Sequence, residues 1–295
     1  MKWVHAVCSQ RINRAFGKWK QPLMKIQIGP VEFNTQSQLL LIAGPCVIEN
    51  LDLCLRIGEH CKAVASRLGL PYVFKASFDK ANRSSNTNYR GVGIDAGLEV
   101  LATVKRRLGV PVTSDVHESH QVSQVAEVAD IVQIPAFLCR QTDLLMAAAK
   151  TGRPVNVKKG QFMAPWEMGN VVEKIRSAGN PQVMLTERGT FFGYNRLVND
   201  MTGIAHMQSF GVPVIFDATH STQMPGGLGH ASGGQRQYVG LLAKAAVAAG
   251  VNGLFLEVHP EPDKSPSDAA TIMPMDQLES LLKTCMAIRE ACRSA

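Results

Sequence analysis

Eight times along this chain a short apolar run, mostly rich in β-branched residues, ends on polar or ionisable side chains, with a longer linking stretch between each run and the next. The runs are LLLIAGPCVI (39–48), YVFKASF (72–78), PVTSDV (111–116), DIVQIPAF (130–137), PVNVKKG (154–160), VMLTERG (183–189), PVIFDATH (213–220) and GLFLEVHP (253–260). Several linking stretches, among them LDLCLRIGEHCKAVASRLG, DAGLEVLATVKRRLG and QVSQVAEVA, space their apolar residues at helical intervals, and PMDQLESLLKTCMAIREACRS does so after the eighth run. Strand and helix in alternation call for a parallel sheet, since each helix carries the chain back to start the next strand in the same direction. Eight such units in about 250 residues are the arithmetic of a (β/α)8 barrel, with an open doubly wound sheet as the other fold compatible with the pattern.

The polarity of the runs sharpens that reading. Lys75, Asp115, Lys158, Arg188, His220 and Glu257 all fall late in their runs. In a barrel those ends form the face that carries active sites. A sheet packed for stability alone has little use for such residues there, because a buried charge costs several kcal/mol, on the order of a whole protein's stability, unless it is paired.

Composition narrows the class. The chain has 295 residues, 45% of them hydrophobic and 19% charged, which is ordinary for a globular domain and gives no ground for disorder in the main body. A formal net charge of +7 raises the question of nucleic acid, but the basic residues are dispersed and no reading motif accompanies them, so anionic small molecules explain the charge better. The seven cysteines, at 8, 46, 54, 61, 139, 285 and 292, show neither disulfide nor zinc-finger spacing and fit a reducing cytoplasm. No apolar run reaches the roughly 18 residues of a membrane span. Residues 1–38 stand apart: MKWVHAVCSQRINRAFGKWKQPL is basic, holds two of the three Trp residues and lacks acids. They read as an N-terminal extension ahead of a catalytic barrel over 39–295, either a targeting or surface segment or the product of a start assigned upstream of Met24.

Three groupings carry chemistry. Cys46 falls at the end of the first strand, His220 of the seventh and Glu257 of the eighth, and Asp268 lies in the loop beyond. Closure of a barrel makes strands one, seven and eight neighbours, so these four can converge. A thiolate, an imidazole and two carboxylates suit Fe(II), Zn or Mn better than Mg. Taken singly, Cys46 also reads as a small buried apolar group and His220 as a hydrogen-bonded core histidine. KASFDKANRSS, from Lys75 to Ser85, packs two Lys, an Arg and several small polar donors into eleven residues, a dense set for an anion or else a solvated basic loop. Arg140, Lys158 and Arg188, on or after strands four to six, are expected to face the same pocket. GGLGHASGG (226–234) follows the seventh strand, where barrels place phosphate loops and lids, and also reads as a plain flexible connection. No GxGxxG, Walker sequence or nucleophile elbow is present.

The strings IAGPCVIE, FKASFDKANRSS, SDVHE, IPAFLCRQTDL, NVKKGQF, TERGTFFGYN, FDATHS and LEVHPEPDK closely resemble those of the 3-deoxy-D-manno-octulosonate 8-phosphate synthases. The likeness runs from about Leu39 to Arg289 with the motifs in family order. It implies a barrel enzyme that condenses phosphoenolpyruvate with D-arabinose 5-phosphate and water, an early step toward the KDO sugar of lipopolysaccharide. The alternative is the sister family of 3-deoxy-7-phosphoheptulonate synthases, which use erythrose 4-phosphate. Their loop is typically KPRTSP-like, whereas KANRSS resembles the pentose-phosphate loop.

The resemblance also implies roles. Cys46, which the metal-free members replace by Asn, places the chain with the metal-dependent type, with His220, Glu257 and Asp268 as the other ligands of a divalent Fe, Zn or Mn ion. Lys75, Lys80, Lys158 and Arg188 are implied to hold phosphoenolpyruvate, helped by the Ala136 backbone with Gln133 nearby. Asn82, Arg83 and Ser84 are implied to hold arabinose 5-phosphate, and Asp115 to meet the sugar or a metal-bound water. The segment with Arg140 resembles one that closes a neighbouring subunit's site in a homotetramer. Two other readings stay open: a phosphosugar-binding barrel without catalysis, which needs no metal set, and a Schiff-base aldolase using Lys75 or Lys158.

Overall fold

The computed structural model describes residues 24–82, 88–227 and 232–294. Each of the eight runs contains a strand of one closed parallel barrel: β3 (Leu40–Gly44), β4 (Tyr72–Lys75), β5 (Val112–Asp115), β6 (Ile131–Ile134), β7 (Val155–Lys158), β8 (Val183–Glu187), β11 (Val214–Asp217) and β14 (Gly253–His259). Each strand pairs in parallel with the next, and β14 pairs with both β11 and β3 to close the ring. Closure decides for the (β/α)8 barrel over the open sheet, since no barrel strand is left with an unpaired edge.

Helices α1 (Leu51–Arg67), α2 (Ile94–Leu108), α3 (Val122–Val128), α4 (Thr142–Lys150), α5 (Met168–Ser177), α6 (Thr202–Gln208), α7 (Val239–Ala248) and α8 (Leu278–Ser294) follow the strands in turn. Local chemistry sets their ends. Asn50 caps α1 by accepting the Leu53 amide at 2.8 Å, and α2 stops at Gly109, whose left-handed φ of 62° suits the end of a helix. Inward stripes such as Cys54, Ile57, Cys61 and Val64 of α1 bury against the strands in a core continuous around the barrel. None of the described helices is long and apolar enough to cross a membrane.

The barrel has a floor. Within the stretch read as an extension, β1 (Lys25–Ile28) and β2 (Val31–Asn34) form an antiparallel hairpin. Its Ile26, Ile28 and Phe33 are buried in one apolar cluster with Leu40, Ile42, Val73, Ile131, Met184 and Ile215 from the barrel interior. Arg289 of α8 donates to the carbonyls of Thr35, Gln36 and Gln38 and so ties the link from hairpin to barrel. Residues 1–23 lie outside the described residues.

Short two-residue strands decorate the opposite end: β9 (Thr190–Phe191) with β10 (Leu197–Val198), β12 (Gln223–Met224) with β13 (Gly233–Gly234), and β15 (Met273–Pro274) beside β14. They brace the loops that rise from the carboxyl ends of the barrel strands.

Candidate active site

Strand alternation sends every second side chain into the barrel, and near the carboxyl ends those side chains are Lys75, Asp115, Lys158, Asp217 and Glu257. Two of them, Asp115 and Lys158, line a cavity of about 320 Å³ together with Lys80, Arg188, His220 and Asp268. Gly44 makes one close approach possible, because a Cβ there would lie 2.0 Å from the Lys75 carbonyl oxygen.

On one side is the carboxylate and thiol group. The ligand atoms of Cys46, Glu257 and Asp268 all lie within 4.8 Å of one another. Cys46 Sγ is 3.2 Å from Asp268 Oδ2 and 3.0 Å from Ser267 Oγ. Asp268 adopts a left-handed φ of 53°, a conformation that Asp tolerates better than most residues and that marks functional loops. His220 stands beside this group rather than within it, its Nε2 3.6 Å from Glu257 Oε1. Its Nδ1 is 2.7 Å from Asp217 Oδ2, which turns Nε2 toward the cavity in the manner of carboxylate–histidine metal ligands.

The donor set fits a divalent cation. Glu257 is fully buried, and its Oε2 has no hydrogen-bond partner among the described residues although an unpartnered buried carboxylate oxygen costs on the order of 1–3 kcal/mol. Burial, reinforced by Glu257, pushes the Cys46 thiol pKa far up, so the thiol is neutral until a cation enters. A thiolate with two carboxylates is a mixed hard and soft set that suits Fe(II), Zn or Mn.

On the other side stand the cations. Lys75 Nζ donates to Glu257 Oε1 at 2.5 Å and to the Cys46 carbonyl at 2.8 Å. Lys158 Nζ bonds Asp217 Oδ2 at 2.8 Å and sits 3.7 Å from the centre of the Phe255 ring. Burial opposes the charge of Asp115, Asp217 and Glu257, but neighbouring groups outweigh it and hold all three carboxyls below their usual range: Lys158, Lys75 and Lys80 around Asp115, His220 and Lys158 around Asp217, and His220, Lys75 and Lys80 around Glu257. Arg188 bonds Gln223 through Nη2 at 2.6 Å, while its buried Nη1 has no partner among the described residues. Arg188 lines a cavity shared with Lys80 and Lys158, and a free guanidinium donor there could hold an anion.

The structure thus gathers Cys46, Lys75, Lys80, Asp115, Lys158, Arg188, His220, Glu257 and Asp268 at one mouth. Ala136 and Asn82 also line the cavity. Arg83 and Ser84 lie outside the described residues, as do 228–231 of the glycine-rich segment, whose flanking Gly226 and Ser232 line the cavity. One expectation needs correction. Arg140 does not face this pocket: a 3-10 turn over Ala136–Leu138 follows β6, leaving Ala136 at the mouth and Arg140 in a separate depression beside Glu167 and Lys174. Gln133 stands behind the cavity wall, fully buried, with its two polar atoms bonded to Asp115 and Asn156.

Sequence reasoning missed Asp217, Phe255, Lys159 and Glu187. Asp217 had a signal, since FDATH places a second ionisable residue at the end of the strand, three residues before His220. Lys159 is fully buried, donating to Thr190 Oγ1 at 2.9 Å and standing 3.6 Å from Glu187. Glu187 Oε1 in turn accepts the amides of Arg188 and Gly189, fixing the backbone that carries the Arg188 fork. Nothing in the run VKKG distinguishes the lysine that enters the cavity from the one that ties two loops together.

A closed barrel with paired cations, carboxylates and a thiol at its carboxyl end has the parts of a barrel enzyme's site. Residues 24–293 match the model of the DAHP synthetase I family, and the chain belongs to that family. It is 57% identical over 264 residues, 90% of this chain and 97% of the relative, to a protein of Geobacter metallireducens. It is 58% identical over 253 residues to one of Desulfatibacillum aliphaticivorans, covering 86% and 93% of the two chains, and 53% over 266 residues to one of Bartonella bacilliformis, covering 90% and 94%. All three relatives are named 2-dehydro-3-deoxyphosphooctonate aldolase.

Proposed function

We propose that this chain joins C3 of phosphoenolpyruvate to the aldehyde carbon of D-arabinose 5-phosphate, with water entering at C2 and inorganic phosphate leaving by cleavage of the C–O bond. The product is 3-deoxy-D-manno-octulosonate 8-phosphate, the precursor of the KDO of lipopolysaccharide, and the family name alone would equally cover the heptulosonate reaction. The relatives' shared name favours the octulosonate, as does KANRSS in place of a KPRTSP-like loop.

The observation that carries the reading is the buried Arg188 Nη1, without a partner among the described residues, in a cavity also lined by Lys158 and Lys80. Phosphoenolpyruvate brings a carboxylate and a phosphate to be neutralised, and prearranged cations do this with little reorganisation. Asn82, Arg83 and Ser84, on the loop leaving β4, are assigned the phosphate of the aldose. Asp115, held ionised at the cavity wall, is assigned a hydroxyl of the aldose. Two substrates held in reacting contact recover roughly 7–11 kcal/mol of barrier.

A divalent Fe, Zn or Mn ion held by Cys46, Glu257, Asp268 and the Nε2 of His220 would supply Lewis-acid polarisation and orient a water. Asp217 fixes the imidazole, and Lys75 balances the charge of Glu257. The protein is read as a cytoplasmic homotetramer in which the Arg140 segment approaches a neighbouring subunit's mouth.

The test is phosphate release from phosphoenolpyruvate with arabinose 5-phosphate or erythrose 4-phosphate, each after chelation and after adding back Mn, Fe(II) or Zn. Metal-restored turnover with the pentose phosphate is the expected result. A preference for erythrose 4-phosphate would assign the heptulosonate reaction instead, and full turnover after exhaustive chelation would remove the metal from the reading.

A further inference from the structure

Behind the cavity, buried polar side chains on four consecutive strands form one line of hydrogen bonds. Thr186 Oγ1 on β8 donates to Asn156 Oδ1 on β7 at 2.8 Å, Asn156 Nδ2 donates to Gln133 Oε1 on β6 at 3.0 Å, and Gln133 Nε2 donates to Asp115 Oδ1 on β5 at 2.8 Å. Ser77 Oγ reaches the other oxygen of Asp115 at 2.8 Å. Thr186, Asn156 and Gln133 are fully buried, and among them Asp115 alone lines the cavity.

The direction of the line follows from chemistry. An ionised carboxylate only accepts, so Gln133 must turn its NH2 to Asp115 and its oxygen to Asn156. Asn156 must then offer its own NH2, leaving its oxygen to be satisfied by the Thr186 hydroxyl. Each member has one orientation that satisfies its neighbours, and every donor points toward Asp115. Strand register supports the arrangement, since Asp115 is opposite Gln133 and Gln133 opposite Asn156. A barrel interior filled for stability alone would use apolar side chains here, as it does at the floor, because a partly satisfied buried network is worse than none.

We infer that Asn156 and Thr186 are positioning residues that act through Gln133 to fix Asp115 as an acceptor for a hydroxyl of the aldose phosphate. With one protein donor on each oxygen, Asp115 keeps lone pairs for a substrate hydroxyl and cannot rotate away from the cavity. The inference rests on the assignment of Asp115 to the aldose.

The test is steady-state kinetics of the metal-loaded enzyme, varying each substrate in turn, for Asn156→Leu, Thr186→Val, Thr186→Ser, Gln133→Leu and the double variant Gln133→Leu/Asn156→Leu. Asn156→Leu is expected to lower kcat/KM for arabinose 5-phosphate at least about tenfold, the scale of leaving one buried oxygen, here Gln133 Oε1, without its donor, with a much smaller change in KM for phosphoenolpyruvate. Thr186→Val, which keeps the shape of the side chain, should lower it in the same direction by less, and Thr186→Ser should restore it. In the Gln133→Leu background the Asn156→Leu change should have little further effect, because its route to Asp115 is gone. Equal losses for both substrates, full additivity in the double variant, or no loss in Thr186→Val would overturn the inference. Absence of wild-type turnover with arabinose 5-phosphate would instead overturn the functional reading beneath it.

Discussion

The two ends of the barrel are made by the same eight strands and solve opposite problems. At the floor, Ile26, Ile28 and Phe33 of the hairpin close over Leu40, Ile42, Val73, Ile131, Met184 and Ile215, a cluster without a polar atom in its side chains apart from the Met184 sulfur. At the mouth the inward positions are Lys75, Asp115, Lys158, Asp217 and Glu257, all buried and tied by ion pairs or hydrogen bonds. Burial of apolar surface stabilises at about 25 cal/mol per Å², whereas buried ion pairs seldom repay the desolvation of their charges. The floor therefore holds the fold together, and the mouth holds charge where a substrate needs it. Phe255 lies at the boundary, sharing the floor's apolar cluster while its ring faces Lys158.

That division can be broken first at the mouth. Lys158→Met should lower kcat/KM by about 10³, the scale for removing one prearranged charge-stabilising donor. Because it also leaves Asp217 without its lysine, circular dichroism must accompany the kinetics, and a folded variant with near-normal turnover would remove Lys158 from the machinery.

The floor counterpart is Phe33→Ala. Deleting a fully buried Phe should cost about 3–5 kcal/mol in urea unfolding, while kcat/KM of the folded protein stays within about twofold of wild type. A large activity loss at constant stability would show that the two ends are coupled rather than divided.

Acid separates them further. Asp115, Asp217, Glu257 and Asp268 all have folded pKa values below their ordinary ones. The stability they contribute is complete above the unfolded carboxylate value near about 4 and is lost as pH falls through the folded values. Urea unfolding of metal-free protein should therefore change little from these groups between neutral pH and about pH 5 and weaken below about pH 4. Phe33→Ala should shift that curve down without altering its slope, since no titrating group is removed; a changed slope would count against the division.

The smallest effect is expected behind the mouth. Burial pushes Glu187 up and Lys159 down, each against its own charge, so their ion pair contributes little. A raised folded pKa means that any stability from Glu187 is lost as pH rises through that value, so the neutral amide forfeits nothing at neutral pH. Glu187→Gln can still accept the Arg188 and Gly189 amides and should change stability by less than about 1 kcal/mol. A loss of several kcal/mol would show that the pair itself holds the two loops.

Much of this was legible in the chain. Each of the eight strands lies within its expected run, because parallel barrel strands are short, buried on both sides and bounded by helices, which leaves a repeating signal. Lys75, Asp115, Lys158 and Glu257 were legible as mouth residues for the same reason, since a charge late in an apolar run has few other uses. Arg140 misled because distance along the chain says nothing about the direction in which a turn sends a side chain. Gln133 was legible as a neighbour of the cavity, while its bonds to Asp115 and Asn156 depend on strand register that the sequence does not display.

The sequence by itself determined the order of elements, the polarity of each strand and hence which end would be reactive, because periodicity and charge placement are local properties. Tertiary structure alone decided which charge meets which: that Asp217 joins Lys158 to His220, that Glu257 Oε2 is left without a partner among the described residues, and that a line of amides ends on Asp115. Those facts depend on strands far apart in sequence being brought to hydrogen-bonding distance by barrel closure, and on buried polar groups having few orientations that satisfy all their neighbours.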